Sequence, residues 1–391
     1  MLFTNVWYVA ATSDELSGRP LPRQMLGRDF VLYRDASGQP VCLSDVCPHR
    51  GGRLSRGDCD GNGRIGCPFH GWRFDAEGRC RRIPSQADPD GDIPTAARVD
   101  SYPAVERYGL VWVFLGDEPE AAAPLIDMPE YSDPRWRRVS FVDTWAANLH
   151  WSKMTDLDHV HLPIVHGIDF GGDNPVRPPD HRVESGPFGF RTRIESRPTV
   201  TSGDWRRMRG QRTPVSSQLE FMLSGFCLRG QVEIGGAGSG YFNVFYEMST
   251  PIDEEHTRMY WHFFRSFMLE PENDAEHLRR NLRNIFQDKA NAESFLPRRA
   301  PEQPDWPALK IDREDRLMTA YWNLLQELRG RGWQIDRQAL ASCDAAGDYR
   351  VIPSPARTAG GSRWVFAPVP RIAASASRGR AGLAAAGDGA V

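Results

Sequence analysis

Two short segments of the sequence carry paired side chains that can bind a metal. The first pair is Cys47 and His49, the second is Cys67 and His70, and a proline directly follows each cysteine. Two thiolates and two imidazoles can bind a tetrahedral zinc ion, as in a zinc ribbon, or a [2Fe-2S] cluster with histidines on one iron. The spacing alone leaves both open. The glycines of both segments and the aromatic Trp72 favour the cluster, because they suit two loops that close over it.

A second group of metal-binding side chains lies within residues 148–167, in the pattern Asp158-x-x-His161-x-x-x-x-His166. Two imidazoles and one carboxylate form the facial triad of non-haem iron(II), which leaves positions open for dioxygen and substrate. The spacing predicts that Asp158 and His161 share one face of a helix, so the carboxylate can orient the imidazole. Pro163 is expected to break this helix before His166. The segment therefore predicts a mononuclear metal site.

Both segments resemble those of one enzyme family. Cys-Pro-His-Arg-Gly followed by Cys-Pro-Phe-His-Gly-Trp is similar to the Rieske centre of ring-hydroxylating and O-demethylating oxygenases, and residues 148–167 resemble the mononuclear iron motif of their α subunits. The resemblance is strongest to vanillate-demethylase-like members. It implies that Cys47 and Cys67 hold the inner iron of the cluster, and that His49 and His70 hold the outer iron.

The third ligand of the mononuclear iron must be a carboxylate from elsewhere in the chain. The segment NIFQDKANAESF resembles the Asp-Lys segment that supplies this ligand in vanillate-demethylase-like oxygenases, which points to Asp288. Asp288 could also be a solvated helix residue, and Glu293 is the alternative ligand. The resemblance further implies a head-to-tail homotrimer, in which Asp158 bridges the cluster of one subunit and the iron of the next.

The resemblance implies an oxidoreductase with one [2Fe-2S] cluster and one mononuclear Fe(2+) per subunit. In this family a separate NAD(P)H-dependent reductase or a ferredoxin supplies electrons, and the iron activates dioxygen. The expected monooxygenase or dioxygenase reaction is hydroxylation, or O- or N-demethylation, of an apolar or aromatic small molecule. Two alternatives stay open, namely oxidative cyclisation or desaturation by the same two centres, and a non-catalytic electron carrier that uses the cluster alone.

The expected fold class is α+β, in two domains. Short runs such as FVLYRD, PVCLSD and GLVWVFLG predict an all-β Rieske domain at residues 1–118. Longer aromatic runs, QLEFML, GYFNVFYEMST and TRMYWHFFRSF, predict one antiparallel sheet in a catalytic domain at 119–371. Two amphipathic helices, one containing Leu282, Ile285 and Phe286 and one around Leu324, should each bury one face against this sheet in a helix-grip-like arrangement. Residues 372–391, rich in Ala, Gly and Ser, predict a disordered tail.

Composition excludes several other classes of function. The net charge of −3 gives no electrostatic basis for binding nucleic acid or an anionic membrane. The sequence contains no apolar run of membrane-spanning length, and its first residues do not have the pattern of a signal peptide, so we expect a cytoplasmic protein. Seven cysteines, an odd number, fit metal ligation and buried thiols better than a disulfide scaffold. The glycine-rich run at 235–240 lacks dinucleotide-binding spacing and predicts a hairpin turn.

Overall fold

The computed structural model of the chain describes six stretches, which are residues 1–167, 181–196, 215–234, 238–302, 315–358 and 363–375. Within these stretches the protein forms four β-sheets and five α-helices. Every pairing between the named strands is antiparallel. The predicted α+β class is therefore confirmed. Of the predicted disordered tail, residues 376–391 lie outside the described stretches.

The first part of the chain consists of short strands joined by turns. These strands are β1 (Val6–Thr12), β2 (Leu21–Met25), β3 (Arg28–Arg34), β4 (Pro40–Ser44), β5 (Ile65–Gly66), β6 (Arg73–Phe74), β7 (Cys80–Arg82), β8 (Ser101–Tyr102), β9 (Ala104–Arg107) and β10 (Leu110–Leu115). They form three sheets, in the orders β1-β10-β9, β2-β3-β4-β8 and β5-β6-β7. The loop with Cys47 follows β4, and the loop with Cys67 joins β5 to β6. Two different sheets thus present the two predicted ligand loops.

The second part contains one large sheet. Its strands are β11 (Arg137–Trp145), β12 (Val183–Gly186), β13 (Gly189–Ser196), β14 (Val215–Met222), β15 (Cys227–Ile234), β16 (Tyr241–Pro251) and β17 (Thr257–Arg265), in the order β11-β17-β16-β15-β14-β13-β12. Ile234 pairs with Tyr241, so β15 and β16 form a hairpin around the glycine-rich run, of which residues 235–237 lie outside the described stretches. The predicted antiparallel sheet is confirmed.

Five helices accompany this sheet. They are α1 (Leu149–Leu157), α2 (Leu162–Val165), α3 (Asp274–Ala292), α4 (Arg316–Gly330) and α5 (Arg337–Ala345). Ile285 of α3 is buried against aromatic side chains of β17, including Trp261 and Phe263. These two residues share one face of the sheet, because successive strand residues alternate between its two faces. Phe286, predicted to share this buried face, is 48% exposed and meets Phe141 edge-on. None of the helices in the described stretches combines the length and apolar character needed to cross a membrane.

The predicted helix through Asp158 and His161 was wrong. Helix α1 ends at Leu157, and Asp158 takes an extended conformation with φ −92° and ψ 124°. His161 caps the start of a new, short helix, and Pro163 lies in its first turn. Proline suits this position because its missing N–H would have no partner in the first turn of a helix. The helix therefore breaks before His161 rather than after it.

The last described segments return to the first part of the chain. The Tyr102 hydroxyl donates to the Ile352 carbonyl at 2.7 Å, and Arg357 forms a 2.7 Å ion pair with the buried Asp100. Arg371 pairs with Asp117 at 2.8 Å. Residues assigned to the second domain by the predicted division thus pack against strands of the first, while the boundary at 118 stays a prediction.

Candidate active site

The two cysteine-containing loops have the same backbone geometry. The amide of Gly51 donates to the carbonyl of Cys47 at 2.9 Å, and that of Gly71 donates to Cys67 at 2.9 Å. Both glycines adopt positive φ, 72° at Gly51 and 71° at Gly71, which side chains other than glycine rarely adopt. The repeated turn holds His49 at its third residue and His70 at its fourth, so each loop presents one histidine close to its cysteine.

The four predicted ligands of this first site lie together, with sulfur inside and imidazole outside. Cys47 is 1% exposed and Cys67 is 4% exposed, whereas His49 and His70 are exposed. The two imidazole centroids lie 4.6 Å apart, and Trp72 stacks on His49 with an interplanar angle of 1°. This arrangement fits a two-metal cluster whose inner metal is bound by thiolates and whose outer metal is bound by imidazoles.

The space around the sulfur atoms is closely limited. A Cβ added at Gly52 would lie 3.1 Å from the Cys67 Sγ, so a side chain here would crowd the sulfur. Burial raises the pKa of the Cys47 thiol to about 12, and the adjacent Cys67 contributes to the rise. A bound cation deprotonates such thiols. Two buried sulfurs side by side therefore fit metal ligation.

The structure also brings His161, His166 and Asp288 together. One ligand atom from each residue lies within 4.8 Å of the others. Asp288 Oδ1 is 3.0 Å from His166 Nε2 and 3.4 Å from His161 Nε2. His161 and His166 cap the two ends of α2, and α3 supplies Asp288, so the packing of two helices produces this group.

The donor atoms of this group fit a divalent metal. His161 Nε2 and Asp288 Oδ1 are buried and form no hydrogen bond, although buried polar atoms normally have a partner. Burial acts to raise the pKa of Asp288, but the imidazoles of His161 and His166 outweigh it and hold the pKa below its ordinary value. The group thus offers one carboxylate and two imidazoles, the donor set of the facial triad.

The other two predicted carboxylates, Asp158 and Glu293, are not part of this group. Asp158 Oδ2 is 4.0 Å from His161 Nδ1, beyond hydrogen-bond distance, and the Asp158 side chain is 42% exposed. Glu293, the alternative ligand, accepts a hydrogen bond from the Ala146 amide at 2.9 Å instead. Of the two candidate third ligands, the structure therefore brings Asp288 to the two histidines.

One contact of the site has no signal in the sequence. Gln287 Oε1 lies 2.8 Å from His166 Nδ1. An amide oxygen can only accept, so this bond places the proton on Nδ1 and leaves the Nε2 lone pair directed towards Asp288 and His161. Gln287 adjoins Asp288 in sequence, but the side chains of neighbouring helix residues point about 100° apart. Both side chains contact His166 only because the fold places this imidazole between them.

A buried ion network connects α1 to the sheet. Lys153, 0% exposed, donates to Glu247 of β16 at 2.5 Å and to Asp156 at 3.2 Å. Burial acts to lower the pKa of Lys153, but the two carboxylates outweigh it and raise the pKa. Burial also raises the pKa of Asp156 well above its ordinary value. The network anchors the helix that ends next to Asp158, and the sequence did not indicate it.

Two protein-family models match the chain. The Rieske [2Fe-2S] domain matches residues 6–103, which include both cysteine-containing loops. The vanillate O-demethylase oxygenase C-terminal domain matches residues 149–327, which include α1 to α3 and most of α4. Both groups of metal-binding side chains therefore lie within the matched ranges.

The curated proteins and solved structures that resemble this chain match different lengths of it. The putative toluene-4-sulfonate monooxygenase system iron-sulfur subunit TsaM2 of Comamonas testosteroni is 39% identical over 44% of this chain, which spans about half (49%) of that relative. Methylxanthine N1-demethylase NdmA of Pseudomonas putida is 27% identical over 85% of this chain and 92% of its own length. The structure of NdmA with caffeine has a TM-score of 0.71 at 25% identity, covering 84% of this chain and 91% of that one.

Proposed function

Because the chain belongs to the Rieske non-haem iron oxygenases, we propose that it is the oxygenase component of a system that hydroxylates or O- or N-demethylates an apolar or aromatic small molecule. It is an oxidoreductase, and its Rieske domain holds a [2Fe-2S] cluster. TsaM2 is named as part of a monooxygenase system and NdmA as a demethylase. Both names agree with oxygen insertion at an aromatic compound or at its alkyl substituent.

The observation that carries this proposal is the convergence of His161, His166 and Asp288. Their converging donor atoms would hold a mononuclear Fe(2+). Such an iron, when bound, supplies dioxygen activation, with one oxygen atom entering the substrate and the other leaving as water. Gln287 keeps His166 in the tautomer that can bind the metal.

The cluster would be held by Cys47, His49, Cys67 and His70. Because both histidines are exposed, the outer iron would lie at the protein surface, where a partner can approach. The electrons would come from a separate reductase or ferredoxin. The glycine-rich run at 235–240 lacks dinucleotide-binding spacing, so it does not suggest a nucleotide site of its own.

We further propose a cytoplasmic, head-to-tail homotrimer of two-domain subunits, divided at residues 1–118 and 119–371. Phe69, next to His70, is 63% exposed, and Ile164, between the two mononuclear-site histidines, is 69% exposed. Each site therefore has a large apolar side chain at the surface, as an interface between subunits would require. Asp158, half-exposed beside His161, would connect the two sites across this interface.

Electron paramagnetic resonance of the anaerobically reduced protein, with and without nitric oxide, tests the proposal. We expect the signal of a histidine-ligated [2Fe-2S] cluster together with a high-spin iron(II)-nitrosyl signal. His161→Ala should lose the nitrosyl signal and keep the cluster signal. His159→Ala is the matched control, since His159 lies two residues away and outside the metal-binding group. A full nitrosyl signal in His161→Ala would contradict the assignment of this ligand.

A further inference from the structure

The two loops that carry the proposed cluster ligands are closed in different ways. The second ligand loop, residues 67–72, lies between β5 and β6, where Gly66 pairs with Arg73, so strand pairing joins its two ends. The first ligand loop, residues 45–55, runs from the end of β4 into the turn Leu54–Arg56. Within the described residues 1–167, β4 pairs only with β3 and β8, which leaves the ends of the first ligand loop without a strand pair.

A buried side chain joins the ends of the first ligand loop instead. Asp45 directly follows β4, lies two residues before Cys47, and has a fully buried side chain. Its Oδ1 accepts a hydrogen bond from the Ser55 amide at 2.7 Å, and its Oδ2 accepts one from the Ser55 hydroxyl at 2.6 Å. One carboxylate therefore holds both ends of the loop that carries Cys47 and His49.

The Asp45 carboxylate is held by Ser55 rather than by a close ion pair. Arg53 Nη1 lies 3.8 Å from Asp45 Oδ2, whereas Arg53 Nη2 pairs with Asp29 at 2.8 Å. A carboxylate removed from water is stabilised by the hydrogen bonds that it accepts. Replacing Asp45 should therefore release the end of the loop at Ser55.

The position of the first ligand loop also determines a contact between the two loops. Trp72, at the end of the second ligand loop, stacks on the imidazole of His49 with ring centroids 4.7 Å apart. Gly52 of the first loop lies against the Cys67 sulfur, because a Cβ added there would be 3.1 Å from it. A displaced first loop would change both contacts, and with them the orientation of His49.

We propose that Asp45 is a positioning residue of the cluster, which orients Cys47 and His49 by joining the ends of the first ligand loop. This inference rests on the proposed ligand assignment and adds to it a residue that does not bind iron. The properties of an iron–sulfur cluster depend on the groups that orient its ligands and on its exposure to solvent. Loss of the connection should therefore change the spectrum of the cluster as well as its stability.

Electron paramagnetic resonance of the anaerobically reduced full chain tests the inference. Asp45→Ala should shift the g values of the [2Fe-2S] signal and broaden its lines. It should also lose its cluster to an iron(II) chelator about tenfold faster, the size of one net hydrogen bond. Asp45→Asn should keep the unsubstituted signal, because a carboxamide can accept from the Ser55 amide and donate to the Ser55 hydroxyl.

Asp58→Ala is the matched control at the second ligand loop. Asp58 pairs with Arg73 at 2.9 Å, but its side chain is 70% exposed, and strand pairing already closes this loop. The signal and the rate of cluster loss should therefore stay unchanged in this variant.

The outcomes separate this inference from the ligand assignment on which it rests. An unchanged signal in Asp45→Ala, or equal changes in Asp45→Ala and Asp58→Ala, would overturn the positioning role. If Asp45→Ala holds no cluster, Asp45→Asn decides, since a full cluster content there supports the hydrogen bonds and an equal loss overturns them. No histidine-ligated [2Fe-2S] signal in the unsubstituted protein would contradict the ligand assignment itself, and the role of Asp45 would fall with it.

Discussion

The two candidate metal sites are positioned by different means. Cys47 and Cys67 lie in two turns of the same form, each closed by a 2.9 Å backbone hydrogen bond from a glycine at positive φ. His161 and Asp288 come from separate helices, and their relative position depends on how those helices pack. The first site is thus organised by local backbone conformation and the second by tertiary contacts.

Because of this difference, substitutions at different places should disturb the two sites. A turn keeps its geometry as long as its own residues can adopt the required φ and ψ. A site built from several helices also depends on side chains that hold those helices in place, here Lys153 beneath α1 and Gln287 beside His166. Substitutions away from the ligands should therefore affect the second site, and substitutions within the loops should affect the first.

The largest effect is expected from removing the buried charge beneath α1. Lys153→Met leaves Glu247 and Asp156 buried without their cation, which should lower the free energy of unfolding by about 3–5 kcal/mol. Chemical denaturation monitored by circular dichroism measures this change. The double variant Lys153→Met/Glu247→Leu should recover part of the loss, because it also removes one of the two carboxylates left without a cation.

Lys289→Met serves as the matched control for this prediction. Lys289 pairs with Asp143 at 2.8 Å but is 24% exposed, so its loss should cost about 0–1 kcal/mol. Equal destabilisation by the two lysine substitutions would mean that the network beneath α1 has no special role. The mononuclear site would then depend less on tertiary contacts than we infer here from its two helices.

A smaller effect should follow from changing the contact to His166. Gln287→Leu removes the acceptor of the Nδ1 proton, so iron(II) affinity at the mononuclear site should fall about 10- to 100-fold. Gln287→Glu keeps an acceptor and should retain the affinity. Equilibrium dialysis with iron(II) under anaerobic conditions measures both, and the cluster absorbance should be unchanged in each. Undiminished iron binding by Gln287→Leu would contradict the positioning role.

The same difference limits what could be predicted from the sequence. The pairs at Cys47 and Cys67 follow from spacing, because both ligands of a pair share one turn. His161 and His166 also follow from spacing, whereas Asp288 required the resemblance to a family. Gln287 meets His166 across 121 residues of sequence, and Lys153 meets Glu247 across 94, so neither contact has a local signal.

The fold shows the same limit. Strands such as β3, β10 and β17 are recognisable from their own apolar and aromatic residues, and α3 and α4 from their periodicity. The order of the seven-stranded sheet and the return of residues 349–371 to the first part of the chain depend on distant pairings. One local error, the helix through Asp158 and His161, arose because Pro163 was expected to end a helix and instead lies in the first turn of one.

The smallest change in free energy is expected from a substitution in the loop around Cys67, although this loop would bind the cluster directly. Gly71→Val forces a β-branched residue to φ 71°, at a cost of about 1–2 kcal/mol. The new Cβ would also lie 3.1 Å from Pro84 Cγ. The fraction of protein that holds a cluster should fall about tenfold, as measured by iron and sulfide content, because the turn that presents His70 is no longer favourable.

Gly61→Val is the matched control, because it adds the same side chain at a position that does not require positive φ. Gly61 lies between the two ligand loops, has no positive φ, and a Cβ added there meets no atom within 4 Å. This variant should keep its full cluster content, and neither glycine substitution should change iron(II) affinity at the mononuclear site. If both variants lost the cluster equally, the local turn would not be what positions the first site. If Gly71→Val also weakened the mononuclear site, the two sites would not be organised independently within the subunit.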